Sequence, residues 1–214
     1  MHQRSDLLLS EEDRRALLAR TRQAILETVS SSSFPDLLRV AGRLAEPRGA
    51  FVTLRWNGKV RGCIGQPDAA HGLAETVVQC AITAALRDPR FRPLQAEETD
   101  ELEIEISVLS ELYPVRPEEI ELGIHGIVVT DGGRRGLLLP QVARERNWSV
   151  TQLLEAACRK ADLEAGAWRE PETKLFAFTA EVFSDVGAPS LPNSRPGDKF
   201  NLPPDLADTQ RTKR

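Results

Sequence analysis

The dipeptide Asn57-Gly58, set between two runs of strand-forming residues, constrains the fold of this chain more than any other feature. An Asn-Gly pair readily adopts the positive φ angles of a two-residue type I′ turn, and that turn joins antiparallel strands. Residues 50–56 and 59–65 are therefore predicted to form a β-hairpin. The expected cross-strand pairs are Trp56–Lys59, Leu54–Arg61 and Val52–Cys63.

Apolar residues recur at helical spacing in other segments, which have recognisable start or stop signals. Ser10 is a favourable N-cap, and the three acidic residues after it suit the positive end of a helix. Pro89 prevents one segment from continuing, whereas Pro140 is suited to a first helical turn. The predicted helices run from Ser10 to the Ser30–Ser33 run, over 37–44, over 73–86, briefly from Pro140, and from the Ser149 cap to Lys160.

The remaining patterned segments are predicted strands. Residues 102–109 alternate strictly between apolar and polar side chains, as expected of a strand with one buried face. Residues 124–130 and 135–139 flank a Gly-rich turn and are predicted to form a second hairpin, and 174–183 alternates as a final strand. Hairpin-linked strands with helices between the pairs are typical of an α+β fold, with mainly antiparallel sheets and flanking helices.

Composition narrows the class of partner. The 214 residues are 41% hydrophobic and carry a net charge of −4, so nothing favours a nucleic-acid partner, which requires clustered basic side chains. The longest apolar run near the N-terminus, Leu7–Leu9, is far shorter than the ~20 residues of a membrane span, so no membrane is expected. Three distant cysteines without a CxxC pair predict a reducing, cytoplasmic location and no structural zinc site.

The stretch 59–65, Lys-Val-Arg-Gly-Cys-Ile-Gly, combines a guanidinium, a thiol and two glycines. Cys63 is interpreted either as a small buried residue beside Val52 or as a reactive thiol. Arg61 in a partly covered hairpin requires a carboxylate or an anionic ligand, because an unpaired buried charge is costly. Glu103 or Glu105 is the expected partner if the role of Arg61 is internal.

Fewer signals lie outside this stretch. His125, flanked by glycines, is either a hydrogen-bonded structural residue or the base of a couple with Cys63. Cys80 and Cys158 fall on apolar helical stripes and are predicted core residues. The chain has no GxxxxGK[ST], GxGxxG, HExxH or GxSxG motif, which argues against the common nucleotide-binding, zincin and serine-hydrolase classes.

The segment Val60-Arg61-Gly62-Cys63-Ile64-Gly65 resembles the Leu-Arg-Gly-Cys-Ile-Gly signature of the AMMECR domain family, named for the AMME syndrome chromosomal region. Val60 stands in place of the leucine. The resemblance predicts an N-terminal extension over 1–9, an AMMECR-like domain over 10–184 and a Pro-rich tail over 185–214, extended or disordered. Further similar segments are 49–54, 88–91, 104–110, 125–127 and 136–143, and the similarity ends near 183.

The resemblance implies an α+β fold of two subdomains, one larger and one small. It also implies a functionally important signature and membership of a system that includes a Memo-like protein and a radical-SAM protein. We expect a ligand or catalytic cleft around the signature, binding a small molecule, with no metal ligands; a non-catalytic interaction partner with a structural signature is the alternative. The candidate residues are Cys63 and His125 for catalysis, and Arg61, Gly62, Gly65, Glu105 and Gln141 for ligand binding.

Overall fold

The computed structural model describes residues 9–31 and 40–186. Within them, contacts group the chain into two compact units, one formed by residues 9–107 with 183–186 and the other by 108–182. Each of two antiparallel sheets has four strands. The predicted α+β class is confirmed, and the division into one larger and one small subdomain stays a prediction.

The first unit is built on helices α1 (Glu11–Ser31) and α2 (Leu73–Leu86) and on strands β1 (Ala50–Trp56), β2 (Lys59–Gln66) and β3 (Leu102–Leu109). Together with β8 (Ala180–Ser184), these strands form a sheet in the order β2-β1-β3-β8, so β2 is an edge strand. The boundary between the two units falls within β3 and β8.

Local sequence explains most of these boundaries. The Ser10 hydroxyl accepts the N–H of Asp13 at 3.1 Å and caps α1 as predicted. Asn57 and Gly58 adopt φ angles of 51° and 70°, so the predicted hairpin turn forms. The strand predicted over 102–109 forms as β3, and its burial alternates as predicted from Leu102 to Ile106, whereas Ser107 and Leu109 are also buried.

The core of the first unit lies between its sheet and its helices. Ala50, Val52 and Leu54 are fully buried on one face of β1, and α2 contacts both β1 and β2. Burial of these apolar side chains provides the main driving force for this packing. The opposite face of β1 carries Phe51, Thr53 and Arg55, which are only half-buried.

The second unit contains the other sheet, in the order β4-β7-β5-β6, with two helices. A core of buried apolar side chains forms around Leu153 and Leu154 of α4, Ile127 of β5 and Ala177 of β7. The elements are β4 (Tyr113–Pro114), β5 (Gly126–Asp131), β6 (Arg134–Leu138), α3 (Pro140–Glu145), α4 (Val150–Lys160) and β7 (Lys174–Phe178).

The predicted final strand over 174–183 is wrong as a single element. It is two strands, β7 and β8, which belong to different sheets. Thr179 lies at the break, where its carbonyl accepts the N–H of Ser110 and its own N–H donates to the Ser110 hydroxyl, both at 2.9 Å. Ser110 thus bonds both backbone groups of Thr179 at the point where the chain passes from the sheet of β7 to the sheet of β8.

Some predicted features lie partly or wholly outside the described residues. Of the helix predicted over 37–44, only its last residues are described, in a single 3₁₀ turn over Gly42–Ala45. Most of the extension predicted over 1–9 and of the tail predicted over 185–214 lies outside the described residues.

Candidate functional site

A β-bulge at Arg61 changes the predicted register of the first hairpin. Beyond the turn, Arg61 is an extra residue with no partner on β1, so the later residues of β2 are shifted by one. Such a shift moves side chains to the opposite face of a sheet. The pair Trp56–Lys59 is confirmed, whereas Leu54–Arg61 and Val52–Cys63 are wrong; the observed pairs are Arg55–Val60, Leu54–Gly62, Thr53–Cys63 and Val52–Ile64.

Arg61 is bonded into a buried cluster with Glu98. Its Nε donates to Glu98 Oε1 at 2.8 Å and its Nη2 to Oε2 at 3.0 Å. The guanidinium also donates to the carbonyls of Arg92 at 2.9 Å and Pro93 at 3.2 Å. The internal partner is therefore Glu98, and the prediction of Glu103 or Glu105 is wrong, because the bulge takes Arg61 out of the strand alternation.

The Arg61–Glu98 cluster leaves little capacity for a ligand. Four of the five N–H donors of Arg61 are used, and only 10% of its side chain is exposed. Glu98 Oε2 also accepts from Arg92 at 3.0 Å and from the N–H of Gln95 at 2.9 Å. The hydrogen bond from Arg61 lowers the pKa of Glu98 to about 2, although burial acts in the opposite direction. The cluster anchors the 92–98 segment to β2.

The two signature glycines meet different neighbours. A Cβ atom on Gly62 would lie 2.3 Å from the carbonyl oxygen of Ala84, so the missing side chain lets β2 pack against the backbone of α2. A Cβ atom on Gly65 would lie 2.0 Å from the ring of Phe51. Gly62 therefore serves the core, whereas Gly65 makes room for an aromatic ring on the face that carries Thr53.

Cys63 lies half-buried on the edge strand, directly beside Thr53. Its N–H donates to Asp88 Oδ2 and its carbonyl accepts from Arg90 Nη2, both at 2.9 Å, so both groups point away from β1. Thr53 and Cys63 thus form a non-hydrogen-bonded pair, the type with the closer side chains. The Thr53 hydroxyl donates to Cys63 Sγ at 3.3 Å. Cys63 is not a core residue beside Val52.

Asp88 fixes the surroundings of Cys63 from beyond the end of α2. Only 1% of its side chain is exposed. Besides the N–H of Cys63, its carboxylate accepts the N–H of Arg90 at 3.1 Å, Arg90 Nε at 2.9 Å and Arg90 Nη2 at 2.6 Å. The hydrogen bond from the Arg90 side chain is the main reason why the pKa of Asp88 lies well below its usual range, against the effect of burial.

Arg90 is held next to the thiol but remains open to solvent. Its side chain is 58% exposed, and its Nη1 donates to no oxygen among the described residues. Its pKa is raised, chiefly by the hydrogen bond to Asp88, although burial acts in the opposite direction. The guanidinium next to Cys63 is therefore that of Arg90 and not that of Arg61.

Sequence reasoning missed the roles of Asp88, Arg90 and Thr53. Asp88-Pro89-Arg90-Phe91 was one of the segments that carried the family resemblance, and that was the available signal. Its position after a helix suggests only a helix-stop function. The contact with Cys63 spans 25 residues of sequence, so no local pattern reports it.

Glu105 lies on β3, on the sheet face opposite to the one that carries the buried Ile104 and Ile106. Strand alternation thus places it on the sheet face that carries Thr53 and Cys63. Because β1 separates β3 from β2, Glu105 is about two strand spacings, or about 9.5 Å, from the cysteine strand. It shares the face but is not adjacent to Cys63.

His125 and Gln141 belong to the second unit, and each has its own setting there. His125 lies just before β5, not within the strand, and its Nδ1 accepts the N–H of Glu121 at 3.1 Å. A neutral ring bonded in this way carries its proton on Nε2 and offers a donor there. Gln141 is the second residue of α3 and is half-buried. The Cys63–His125 couple stays a prediction.

The other two cysteines are core residues, as predicted. Cys80 and Cys158 are buried on α2 and α4. Burial raises the pKa of Cys80 to about 11 and also raises that of Cys158. Both thiols are therefore expected to be unreactive in the folded protein.

Two further properties concern the part of the chain that the structure describes. No group of three or more His, Cys, Asp and Glu side chains is arranged there to hold a metal ion. Likewise, none of the helices in the described ranges has the length and apolar character needed to cross a membrane.

The sheets and the edge-strand cysteine define an α+β protein with a thiol on the half-buried face of an antiparallel sheet. The AMMECR1 family model matches residues 18–183, and the chain belongs to that family. It is 37% identical over 193 residues to a protein of Methanothermobacter thermautotrophicus, covering 84% of this chain and 97% of that protein. A protein of Methanopyrus kandleri is 40% identical over 187 residues, with 83% and 90% covered.

A solved structure supports the fold assignment. The crystal structure of the uncharacterized protein PH0010 from Pyrococcus horikoshii matches with a TM-score of 0.73 and 35% sequence identity. The match covers 79% of this chain and 89% of that chain.

Proposed function

We propose that this AMMECR1-family protein uses Cys63 as the reacting or ligand-attaching group of a site for a small molecule or a modified residue. The site would operate in a system with a Memo-like protein and a radical-SAM protein, as the family resemblance implies. Thr53 donates to the sulfur and Arg90 donates to the carbonyl of the same residue, and both groups would stabilise negative charge on the sulfur while it bonds to an electrophilic atom.

One observation carries this proposal: a buried carboxylate fixes an exposed guanidinium next to a half-buried thiol. Asp88 uses both oxygens to hold Arg90, and also holds the backbone of Cys63. Fixing a long, exposed side chain costs conformational entropy, and the fixed guanidinium of Arg90 keeps donors on Nη1 that its bonds to Asp88 do not use. Donors that are oriented before a ligand binds are what a preorganised site requires.

Alkylation of Cys63 in the folded protein tests the proposal. Cys80 and Cys158 are buried, so mass spectrometry after a short iodoacetamide pulse should find label on Cys63 alone. We expect Cys63 to react about tenfold faster at pH 7 than glutathione, and Arg90→Gln to remove most of this advantage. A Cys63 that reacts no faster than glutathione, or whose rate is the same in Arg90→Gln, would contradict it.

A second measurement separates the enzyme from the docking alternative. Purified Memo-like and radical-SAM proteins from the same genome should bind the wild-type chain, as followed by calorimetry. If Cys63 reacts with a ligand, Cys63→Ala should bind these proteins with unchanged affinity while any product of the assembled system disappears. If the signature is an interface, Cys63→Ala should instead weaken binding, and Cys63 should be protected from alkylation in the complex.

A further inference from the structure

We propose that Arg55 and Arg90 form an oxyanion-binding site beside Cys63, so that the ligand carries a carboxylate or phosphate group. This inference rests on the proposed function of Cys63 and specifies the class of ligand. It concerns two arginines of one unit, one on β1 and one after α2, that lie on either side of Cys63.

Arg55 is the less obvious member of this pair. The residue is half-buried, yet its guanidinium makes no ion pair or hydrogen bond with any described residue. All five of its N–H donors therefore remain for an anion that arrives with a ligand, and a guanidinium matches the geometry of a carboxylate or phosphate. Arg61, by contrast, has its carboxylate partner inside the protein.

Strand geometry brings Arg55 within reach of the thiol. Alternation along β1 places Phe51, Thr53 and Arg55 on one face, and Thr53 is paired directly with Cys63. Arg55 is therefore a diagonal neighbour of Cys63, at about 7–8 Å, a distance that long side chains span. Its guanidinium can thus reach a group bound over Thr53.

Arg90 approaches from the open edge of β2. Asp88 occupies its Nε and one N–H of Nη2, and the Cys63 carbonyl occupies the other N–H of Nη2. The two N–H groups of Nη1 remain for a ligand oxygen. Since Asp88 fixes the plane of the guanidinium, these donors are oriented before the ligand binds.

The charge distribution favours an anion at this end of the sheet. Residues 50–66 contain no acidic residue, and although Arg61 is neutralised by Glu98, Arg55 and Lys59 are two further positive charges, in a chain whose net charge is −4. Asp88 lies on the β2 side, where Arg90 balances its charge. Glu103 and Glu105 of β3 share the face of Cys63, and neither forms an ion pair with Arg55. Their repulsion disfavours an anion above β3 and favours the β2 side, where Cys63 lies.

Two alkylating reagents that differ by one charge test the inference. Iodoacetate and iodoacetamide both transfer a carbon to sulfur, forming the S–C bond as iodide leaves, but only iodoacetate carries a carboxylate. The measured quantity is the ratio of their second-order rates at Cys63, with the same ratio in urea-unfolded protein as reference. We expect the folded ratio to exceed the reference about fivefold or more, as one unit charge facing another at contact distance would produce.

Variants assign the effect to residues. Arg55→Gln and Arg90→Gln should each lower the rate ratio toward the unfolded value. Arg15→Gln removes the same charge from the exposed surface of α1 and should leave the ratio unchanged. A folded ratio equal to the reference, or one insensitive to Arg55→Gln, would overturn the oxyanion site. Slow reaction of Cys63 with both reagents would instead overturn the proposed function, so the two failures are distinguishable.

Protection of Cys63 from alkylation by added anions tests the inference on the wild-type protein, without a variant. Inorganic phosphate or acetate should slow iodoacetamide labelling of Cys63, relative to chloride at equal ionic strength. Protection by phosphate alone assigns a phosphate ligand, and protection by acetate alone assigns a carboxylate. If neither anion protects, the oxyanion site is rejected.

Discussion

Arg61 is a residue of the edge strand β2, and Arg90 donates a hydrogen bond to that strand, but the two guanidinium groups differ in burial and in the donors that remain unused. Arg61 is buried, bidentate to Glu98, and also bonded to two backbone carbonyls. Arg90 is equally well fixed on one side by a buried carboxylate, yet 58% of its side chain stays exposed. The first arginine completes the fold, whereas the second presents unused donors beside a thiol.

This contrast separates two roles within one short signature. Arg61 bonds β2 to the 92–98 segment, and Gly62 lets β2 pack closely against α2, so both residues make contacts inside the protein. Cys63 and Gly65 face the other side of the sheet, with Thr53 and Phe51. If the contrast is right, changes at Arg61 and Gly62 should affect stability most, and changes at Arg90 should affect reactivity most.

The largest expected effect is on Arg61→Ala. The change would leave Glu98 buried without its main partner, and breaking a buried ion pair in this way costs about 3–5 kcal/mol in the free energy of unfolding. Urea denaturation followed by circular dichroism measures this quantity. A loss below about 1 kcal/mol would mean that Arg61 is not a structural group and would remove the contrast with Arg90.

Acid titration tests the same cluster through Glu98. Its pKa in the folded protein is about 2, below the ordinary value of 4.5, so its charge stabilises the fold above pH 4.5, and this contribution is lost as the pH falls toward 2. At 1.36 kcal/mol per pKa unit the contribution is about 3 kcal/mol. Glu98→Gln should therefore flatten the fall in stability between pH 4.5 and 2, and an unchanged slope would contradict the assignment.

Alanine substitutions at the two glycines of the signature, Gly62 and Gly65, should lower the stability by less than Arg61→Ala. Gly62→Ala forces a Cβ atom against the backbone of Ala84, which cannot rotate away, and should cost about 1–3 kcal/mol or more. Gly65→Ala meets only the ring of Phe51, a side chain that can move. Thermal unfolding of both variants should show the larger drop for Gly62→Ala. The reverse order would place Gly65, and not Gly62, on the structural side of the signature.

A smaller effect on stability than that of Arg61→Ala is expected at Arg90. Arg90→Gln leaves the buried carboxylate of Asp88 without its counter-charge but with the N–H groups of Cys63 and of residue 90, so the variant should lose about 1–3 kcal/mol in urea. The alkylation rate of Cys63 in this variant should nevertheless fall, because the fixed positive charge next to Cys63 is lost. A loss of stability as large as that of Arg61→Ala would show that Arg90 is a second structural arginine.

Local patterns predicted the elements around the site well. The Asn57-Gly58 turn, the helix over 73–86 and the strand over 102–109 form where expected, because turn chemistry, a proline stop and strict alternation act over a few residues. The break at Thr179 was missed, since a strand that changes sheets keeps its alternating pattern through the change.

The composition of the site was predicted only in part. Cys63 and Gly65 lie on the face proposed to be functional, and Glu105 shares it at a distance. The predicted register of the first hairpin was wrong because a β-bulge has no distinctive local sequence. Arg61 occupies the bulge position, and its hydrogen bond to Glu98, 37 residues away, stabilises it there. Asp88 and Arg90 were likewise brought to Cys63 by the packing of α2 against the hairpin.

By itself, the sequence determined the hairpin, the helices that flank it, and the signature that marks the family. These depend on turn propensity, periodicity and motif, all of which are written in neighbouring residues. Only the tertiary structure decided which arginine faces inward and which faces the thiol. That choice depends on a one-residue bulge, on Glu98, which lies 37 residues from Arg61, and on the contact between Asp88 and Cys63, which are 25 residues apart. A buried carboxylate requires a cationic partner, and only the fold decides where each such pair lies.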